Sequence, residues 1–232
     1  MDNPRLSIII PVYNHADEIG PCLESIFKQT YQDFEIIVVN DGSTDNFNQA
    51  IQKYKDKIIL INQENRGANA ARSRGYEKST GEFLLFCDAD IIMGPDMLDA
   101  MVQSLDNRPE ASYVYSSFKF GWKTFKLWPF DPDKLKLMNY IHTTSMIRRN
   151  DFPGFDENIK RLQDWDLWLT MLEQGKKGWW IDEVLFTVKP RHKHNMSEWV
   201  PSFMYKIPWF KPGAVKKFEQ AKKVILKKHN LA

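Results

Sequence analysis

The chain has 232 residues, of which 43% are hydrophobic and 27% charged, and this composition is typical of ordinary globular proteins. A chain of this length can form one large or two small domains with a substantial core. No apolar run approaches the ~20 residues that span a bilayer, and the polar stretch 1–5 lacks the apolar region of a secretory signal. Cys22 and Cys87 lack metal-ligand or redox spacing, which favours buried reduced thiols and a cytoplasmic location.

Charge is divided unevenly along the chain. Residues 189–232 hold 11 Lys and Arg against 2 Asp and Glu, a net charge of +9. The whole chain holds 32 Lys and Arg and 30 Asp and Glu. Residues 1–188 therefore hold 21 Lys and Arg and 28 Asp and Glu, a net charge of −7. This asymmetry indicates that the C-terminal segment has an anionic surface as its partner.

Strands and helices alternate through residue 107, which predicts a parallel, doubly wound α/β sheet. The predicted elements are a strand over 6–10 that Pro11 ends, a helix over 17–29, buried strands over 34–39, 58–61 and 83–86, a helix over 95–105 and a strand over 111–115. An apolar run bounded by turn residues, such as 83–86, is typical of a strand covered on both faces. Ligands bind at the carboxyl ends of such strands.

Carboxylates follow two of these predicted strands. Asp41 lies in a Gly-containing turn after the second strand, and Asp88 and Asp90 follow strand 83–86 with spacing i, i+2. A buried carboxylate is costly unless it is paired or bound to a cation, and carboxylate oxygens suit a divalent metal. The Asp88 and Asp90 pair therefore predicts a metal site, whereas Asp41 could also cap its turn.

Four motifs in this order and spacing resemble the large family of inverting nucleotide-sugar glycosyltransferases with the GT-A fold, family two. The motifs are Pro11-Val12-Tyr13-Asn14, Val39–Asp45, Asn65–Gly75 and Asp88-Ala89-Asp90. Each motif is weak alone, but four in register, each beside a predicted strand end, are specific. The resemblance covers roughly residues 5–200. It implies a Rossmann-like, mostly parallel central sheet flanked by helices.

Matched positions in this family imply how a nucleotide sugar is bound. Pro11, Tyr13 and Asp41 would cradle the base, and the Asp41 carboxylate would accept from a uracil-type imide N–H. Asp90 would ligate a Mn²⁺ or Mg²⁺ ion that bridges the diphosphate. Arg72 would lie near the phosphates, unless it is part of a solvated helix face. The implied nucleotide-binding set is Pro11, Tyr13, Asn14, Asp41, Asn65, Gly67, Arg72, Asp88 and Ala89.

A second chemical centre lies at the start of a predicted helix, within 161–169. The family usually has Glu-Asp here; in this chain Gln163 replaces the Glu and Asp164 is retained. The resemblance implies that Asp164 is the base that deprotonates the acceptor hydroxyl as it attacks from behind, which inverts the anomeric centre. Asp164 could instead be a carboxylate favoured by the helix dipole. Asp166 is a rival, although its position in the family supports structure.

A histidine is the second metal-site candidate. Counting back from Met196-Ser197, His192 matches the family histidine that can approach the metal or the diphosphate. His194 is a close rival, and either could be an ordinary surface histidine in a basic segment.

Two later segments are expected beside the acceptor. Residues 118–128 alternate aromatic and basic side chains, which fits a hairpin over the acceptor site or an edge strand with outward lysines. Residues 141–148 resemble the family strand that borders the acceptor pocket. Short strands are predicted over 178–181 and 184–188.

The C-terminal stretch 199–232 joins an aromatic band to a predicted basic amphipathic helix that begins near Gly213. This pattern suits an anionic membrane surface, although the aromatic residues could instead pack back onto the domain. A nucleic-acid partner is not expected, because the basic residues adjoin no recognised binding motif. We expect a glycosyltransferase domain over 1–198, with a nucleotide-sugar half (1–107) and an acceptor half (108–198), and an extension over 199–232.

The functional hypothesis from sequence is a metal-dependent inverting glycosyltransferase. It would move a sugar from a nucleotide sugar, foremost a UDP-sugar, to a saccharide or lipid-linked acceptor in surface-polysaccharide synthesis. Because Gln163 departs from the family pair, a noncatalytic nucleotide-sugar-binding module or a subunit of a partner enzyme remains an alternative. A nucleotidyltransferase is a weaker alternative, since it leaves the Asp164 segment without a role.

Overall fold

The computed structural model describes residues 3–190 and 213–231, so His192, His194 and the aromatic band 199–212 lie outside the described residues. The strands are β1 (Leu6–Val12), β2 (Phe34–Asp41), β3 (Ile59–Gln63), β4 (Phe83–Phe86), β5 (Ile91–Met93), β6 (Tyr113–Phe120), β7 (Lys123–Phe125), β8 (Met146–Arg148) and β9 (Gly178–Val188). The α-helices are α1 (Ala16–Phe27), α2 (Phe47–Ala50), α3 (Ala68–Lys78), α4 (Met97–Asp106), α5 (Pro132–Leu137), α6 (Gln163–Glu173) and α7 (Gly213–Lys228). Short 3₁₀ turns occupy Gln52–Lys57 and Arg149–Asp151.

One sheet carries all of these strands, in the order β3-β2-β1-β4-β8-β6-β9-β5, with β7 paired to β6. The first four strands along the chain are parallel, as predicted, and this confirms the doubly wound α/β half. Strand β8 is antiparallel to both of its neighbours, and β6 and β9 are parallel. The carboxyl ends of β1, β2 and β4 therefore meet at one edge of the sheet.

The prediction that Pro11 ends the first strand is wrong. The Ile9 carbonyl accepts from the Cys87 N–H, so Ile9 faces β4. Pro11, two residues further on, also faces the β4 side. It lies beyond Ile9 and Phe86, which are the last residues that pair between β1 and β4. Its missing N–H removes no ladder hydrogen bond there, and β1 continues to Val12 alongside β2.

The second half of the sheet is more regular than the sequence indicated. The predicted strands 178–181 and 184–188 form one strand, β9, because the partner residues Ser116 and Ser117 pair with Ile181 and Val184 across an irregularity. Strand β6 runs on to Phe120 and forms a hairpin with β7 through a two-residue turn. Gly121, first in that turn, has a φ of 57°. Residues 118–125 therefore form a hairpin whose second strand, β7, lies at an edge with Lys119 and Lys123 exposed; its place over the acceptor site stays a prediction.

The two faces of the sheet form two apolar layers. Alternate residues of β1 separate them: Ile8 and Ile10 pack with α1 and α4, whereas Ile9 packs with α3 and α6. Helix α3 lies so close to the sheet that a Cβ at Gly75 would overlap the Ile9 side chain.

Helix α7 packs against α6 and its layer of the core. Its residue Ile225 is fully buried in the layer that holds Trp165 and Trp168 of α6. Ile225 therefore cannot face a membrane, while Phe218 and Val224 of the same helix are exposed. The aromatic band itself lies outside the described residues, so both alternatives for it stay predictions. Within 3–190 and 213–231, no helix combines the length and the apolar character needed to cross a bilayer.

Candidate functional site

The candidate site lies where the carboxyl ends of β1, β2 and β4 meet the first turns of α3 and α6. Asp41 ends β2, and Asp88 follows β4 after Cys87. Polar contacts connect Asp88 with Arg72 of α3 and Gln163 of α6, and Asp41 holds the loop that leads into α3. Ligands of open α/β sheets bind at this edge.

Asp41 fixes the loop that leads into α3. Its carboxylate is 2% exposed, and it accepts from the backbone N–H of Arg66 (2.9 Å) and Gly67 (2.8 Å) and from the side chain of Gln63 (2.8 Å). A carboxylate offers about four acceptor positions. Two of these donors reach Oδ1 and one reaches Oδ2, so one position on Oδ2 remains for a further donor.

Tyr13 and Asn14 lie beside Asp41 at the end of β1. The Tyr13 ring is 46% exposed and can offer a face to a planar base. Asn14 has a φ of 57°, and its Oδ1 accepts from the Thr44 N–H at 2.7 Å while its own N–H donates to the Ser43 hydroxyl at 3.0 Å. These bonds join the loops that follow β1 and β2, so Asn14 has a shaping role that the sequence did not indicate.

Two glycines keep the backbone open around this pocket. Gly42 has a φ of 74°, and a Cβ there would lie 2.8 Å from the backbone N of Asn65. Gly67 precedes α3 with a φ of 95°. Each conformation strongly favours glycine. The first turn of α3 therefore presents backbone N–H groups toward the same edge, which is a favourable environment for an anion.

Arg72 joins the two halves of the site. The guanidinium is 4% exposed, so the alternative of a solvated helix face is wrong. It donates to Asp88 Oδ1 at 2.7 Å and to Gln163 Oε1 at 3.2 Å. Its Nε is buried without a protein partner among the described residues. Gln163 thus retains the hydrogen bond that a Glu could make to Arg72, without adding a negative charge.

Asp88 is held ionised by its neighbours. Loss of hydration opposes its ionisation, but the charge of Arg72 and the hydrogen bond that Arg72 donates outweigh this effect. The pKa of Asp88 therefore lies below its ordinary value. An anionic Asp88 offers a hard oxygen ligand at the strand end.

Asp90 and Ala89 complete the predicted metal motif. Ala89 is buried, and the Asp90 carbonyl accepts from the Lys189 N–H at 2.9 Å. Within the described residues, no group of three or more His, Cys, Asp or Glu side chains could hold a metal by itself. The two carboxylates nevertheless fit Mn²⁺ or Mg²⁺ in type, because such ions often take one or two carboxylates and complete their shell with phosphate and water.

Asp164 lies in the first turn of α6. Its Oδ1 accepts from the Trp165 N–H at 3.0 Å, so it has a local contact of the kind the helix-start alternative expects. Leu162, two residues before Asp164, has a φ of 57°. This left-handed conformation costs a non-glycine residue about 1 kcal/mol. The helix therefore begins with strain immediately before the candidate base.

His142 is the residue that the sequence reasoning missed. Loss of hydration lowers its pKa, and the charges of Asp88 and Asp164 only partly offset this, so the ring is neutral near pH 7. Its Nδ1 accepts from the Thr144 N–H at 3.0 Å, so the proton lies on Nε2. Trp168 of α6 donates to the Ile141 carbonyl at 2.9 Å and anchors this segment. The sequence signal available for His142 was its place in 141–148, the stretch that resembles the family strand bordering the acceptor pocket.

Asp166 has a structural environment. It is 3% exposed and contacts Lys228 Nζ at 2.8 Å and His229 Nε2 at 2.9 Å. These partners come from the C-terminal end of the chain, and the family-based reading of Asp166 as a supporting residue agrees with this geometry.

Comparison with solved structures supports the fold. S. aureus TarS 1–349 in complex with UDP-GlcNAc matches with a TM-score of 0.74 and 21% identity, over 97% of this chain and 66% of that chain. The mannosyltransferase PcManGT from Pyrobaculum calidifontis, in complex with GDP-Man and Mn²⁺, gives a TM-score of 0.64 and 19% identity, over 97% of this chain and 70% of that chain. These similarities establish a GT-A type fold.

Curated relatives carry glycosyltransferase names. The uncharacterized glycosyltransferase YibD of Escherichia coli (strain K12) is 42% identical over 137 residues, which are 57% of this chain and 40% of that protein. The uncharacterized glycosyltransferase RT0329 of Rickettsia typhi (strain ATCC VR-144 / Wilmington) is 32% identical over 190 residues, 73% of this chain and 59% of that protein. The chain thus spans 40% and 59% of the length of these two relatives.

A family model gives the assignment itself. The model described as Glycosyl transferase family 2 matches residues 7–160, which include every motif at the strand ends. The match ends before Gln163 and Asp164, so their roles rest on the resemblance and the geometry. Because the match covers more than half of the 232 residues, the chain belongs to glycosyl transferase family 2.

Proposed function

We propose that the protein transfers a sugar from a nucleotide sugar, foremost a UDP-sugar, to a hydroxyl group of an acceptor with inversion at the anomeric carbon. One observation carries this proposal: Arg72 connects Asp88 at the donor edge with Gln163, the residue before Asp164. A donor bound at the strand ends would therefore lie beside a carboxylate at the start of α6. The complexes of TarS with UDP-GlcNAc and of PcManGT with GDP-Man support a nucleotide-sugar donor.

The donor nucleotide would occupy the edge between β1 and β2. Tyr13 would stack on the base, and the remaining acceptor position of Asp41 Oδ2 would take an imide N–H of uracil. Pro11 and Asn14 would shape this pocket, and Asn65 and Gly67 would bring backbone close to the ligand. The first turn of α3 and Arg72 would face the phosphates, since both favour negative charge.

Asp88 and Asp90 would hold a divalent ion together with the diphosphate, and Ala89 would keep the backbone between them close to the ligand. When bound, Mn²⁺ or Mg²⁺ neutralises the charge that develops on the leaving diphosphate. PcManGT is described with Mn²⁺, which supports this choice. His192, outside the described residues, stays the proposed additional ligand.

Asp164 would act as the base. The acceptor O–H proton would move to its carboxylate while the acceptor oxygen bonds to the anomeric carbon and the bond to the diphosphate oxygen breaks. His142, with its proton on Nε2, would donate a hydrogen bond beside Asp164 and help to orient the acceptor or the transferred sugar. Because the His142 ring would be neutral, it would not compete with Arg72 as a cation for Asp88 and Asp164.

The test is a panel of UDP-, GDP- and dTDP-sugars with Mn²⁺ or Mg²⁺, measured for nucleotide release and for transfer. We expect turnover with one donor class, and a loss of about 10²–10⁴-fold in Asp164→Asn with unchanged nucleotide affinity. Asp56→Asn, which removes the same charge from an exposed position, is the matched control. If wild type and Asp164→Asn bind UDP equally and neither turns over, the protein is a noncatalytic nucleotide-sugar-binding module.

The acceptor would be a saccharide or a lipid-linked saccharide of a surface polysaccharide, and the enzyme would work at the inner face of a membrane. Support comes from the exposed lysines of α7, Lys216, Lys217, Lys223 and Lys227, and from the exposed Phe218. Sedimentation with vesicles containing anionic lipid checks this. Binding that survives replacement of these four lysines, or that neutral vesicles reproduce, would contradict it.

A further inference from the structure

We propose that Lys228 and His229, at the end of α7, are positioning residues for the reaction, because they fix the first turn of α6 through Asp166 and thereby set the direction of Asp164. The inference rests on the proposed role of Asp164 as the base. It assigns the C-terminal helix a part in catalysis in addition to any contact with a membrane.

The first argument is the burial of a charge. Asp166 is 3% exposed, and a buried carboxylate is strongly unfavourable without charged or hydrogen-bonding partners. Lys228 Nζ lies 2.8 Å from its Oδ1, and His229 Nε2 lies 2.9 Å from the same oxygen. The Asp166 N–H also makes an opening hydrogen bond of α6, to the Leu162 carbonyl at 3.0 Å. The turn that carries Asp164 therefore depends on α7 for its charge balance.

The second argument is that Lys228 also holds the loop before α6. Its Nζ lies 2.8 Å from Asp156 Oδ2. The Asp156 carbonyl accepts from Asn69 Nδ2 at 2.8 Å, and Asn69 Oδ1 accepts from Arg72 at 3.2 Å. One lysine is thus connected to both the base turn and the arginine of the donor edge.

The third argument is the protonation state of His229. Its Nδ1 lies 2.8 Å from Glu173 Oε1 and its Nε2 lies 2.9 Å from Asp166 Oδ1. A neutral imidazole has one N–H donor, so bonds to two carboxylates require the imidazolium form. Burial alone lowers the pKa of His229, but the hydrogen bonds and charges of Asp166 and Glu173 outweigh it and raise the pKa above its ordinary value.

These contacts have a defined pH dependence. The charged groups around His229 are Asp166 and Glu173 of α6, Asp156 of the preceding loop, and Lys228 beside it. Because the folded-state pKa is raised, the contribution is complete below the unfolded value of about 6.5 and is lost as pH rises through the folded-state pKa. Alkaline pH should release the hold on the α6 turn.

The kinetic test compares Lys228→Met and His229→Gln with Lys55→Met, which removes the same charge from an exposed position outside the site and outside α7. We expect kcat to fall about tenfold or more in the first two, because small misplacements of a catalytic group are costly. The donor KM and the affinity for UDP should change less than about twofold, and Lys55→Met should match wild type. Equal kcat in folded Lys228→Met and wild type would overturn the proposal.

The pH profile separates positioning from general destabilisation. We expect the ratio of wild-type to His229→Gln turnover to be largest near pH 6 and to fall towards one at alkaline pH, as the wild-type imidazolium is lost. A ratio independent of pH over this range would mean that the charge of His229 does not act on the reaction.

Amide hydrogen exchange tests the same inference without any turnover. In Lys228→Met and His229→Gln, the amides of 163–167 should exchange at least about tenfold faster than in Lys55→Met, while those of β1 and β2 should not change. Unaltered exchange in 163–167 would refute the positioning role. If exchange rises but wild type transfers no sugar from any donor, the proposed function fails while the hold of α7 on α6 stands.

Discussion

The donor edge and the base turn are built by different means. At the donor edge, Asp41 is fixed by backbone N–H groups of Arg66 and Gly67, at the end of a strand paired on both sides. At the base turn, α6 begins from the left-handed Leu162, and its buried Asp166 is balanced by side chains of α7. The first arrangement follows from strand pairing, whereas the second depends on a few ionic contacts.

This contrast indicates where change is tolerated. Backbone donors persist under most side-chain substitutions, so the nucleotide pocket should be robust. Ion pairs respond to pH, salt and single substitutions, so the base turn should be the sensitive region. Arg72 belongs to both regions, because it contacts Asp88 and Gln163.

Replacing Arg72 should damage both regions and have the largest effect. In Arg72→Met, Asp88 loses its cation and Gln163 its donor, so we expect at least about tenfold weaker UDP binding and about 100-fold lower turnover. The free energy of unfolding should fall by about 2 kcal/mol, less than for a fully buried pair because Asp88 is partly exposed. Calorimetric titration, turnover assays and denaturant unfolding measure these quantities.

The control for this substitution is Arg74→Met. Arg74 belongs to the same helix but lies exposed beside Glu77, so neither binding nor turnover should change. Arg72→Met with wild-type UDP affinity would separate the two regions and contradict their connection through this residue.

Asp41→Asn should affect the donor edge alone. The amide would turn a donor toward at least one of the groups that now donate to the carboxylate, which costs about 1–3 kcal/mol of unfolding free energy. We expect UDP affinity to fall roughly tenfold, while the exchange of amides in 163–167 stays unchanged. Denaturant unfolding and titration with UDP check this, with Asp56→Asn as the charge-matched control. A loss of turnover without a loss of UDP affinity would mean that Asp41 does not act through the donor edge.

Asp88→Asn should alter the acid sensitivity of the fold. Because the pKa of Asp88 is depressed in the folded state, its contribution to stability is present above about pH 4, the unfolded value, and is lost as pH falls through the folded-state pKa. The Asn variant should therefore lose less stability on acidification. The difference should be below about 1 kcal/mol, because the side chain is partly exposed. Parallel curves of unfolding free energy against pH for both proteins would argue against an ionised Asp88–Arg72 pair.

Gln163→Glu should have the smallest effect and should concern the base turn. A second carboxylate beside Asp164 would raise the pKa of the base through like-charge repulsion. The acidic limb of the turnover profile should therefore move to higher pH by a few tenths of a unit to about one unit, while UDP affinity changes little. An acidic limb that stays in place would mean that a residue other than Asp164 governs it.

The donor edge could be predicted because its information is local. Each motif lies within a few residues of one strand end, so apolar runs followed by Asp41 or Asp88 identify both the strand and its ligand-binding end. Pro11 was misread for a related reason: whether a missing N–H matters depends on where the neighbouring strand β4 ends. That end is set by pairing, which a single strand does not reveal.

The base turn could be predicted only in part. Asp164 was identifiable by its place in the resemblance, but the contacts of Arg72 with Gln163 and of Asp166 with His229 join residues 91 and 63 positions apart. No periodicity or spacing rule encodes such pairs. His142 escaped notice for the same reason, since its neutral state follows from burial, which the distant Asp88 and Asp164 only partly offset.

The distance along the chain between Asp166 and His229 has a consequence for biosynthesis. A nascent chain emerges from its N-terminus and folds progressively, so the pairing of β1, β2 and β4 needs no residue beyond Phe86. Until residues 228 and 229 emerge, Asp166 has neither of the two cations that contact it in the finished protein. The nucleotide pocket should thus form first, and the reactive centre should be ordered only after residues 228 and 229 have emerged.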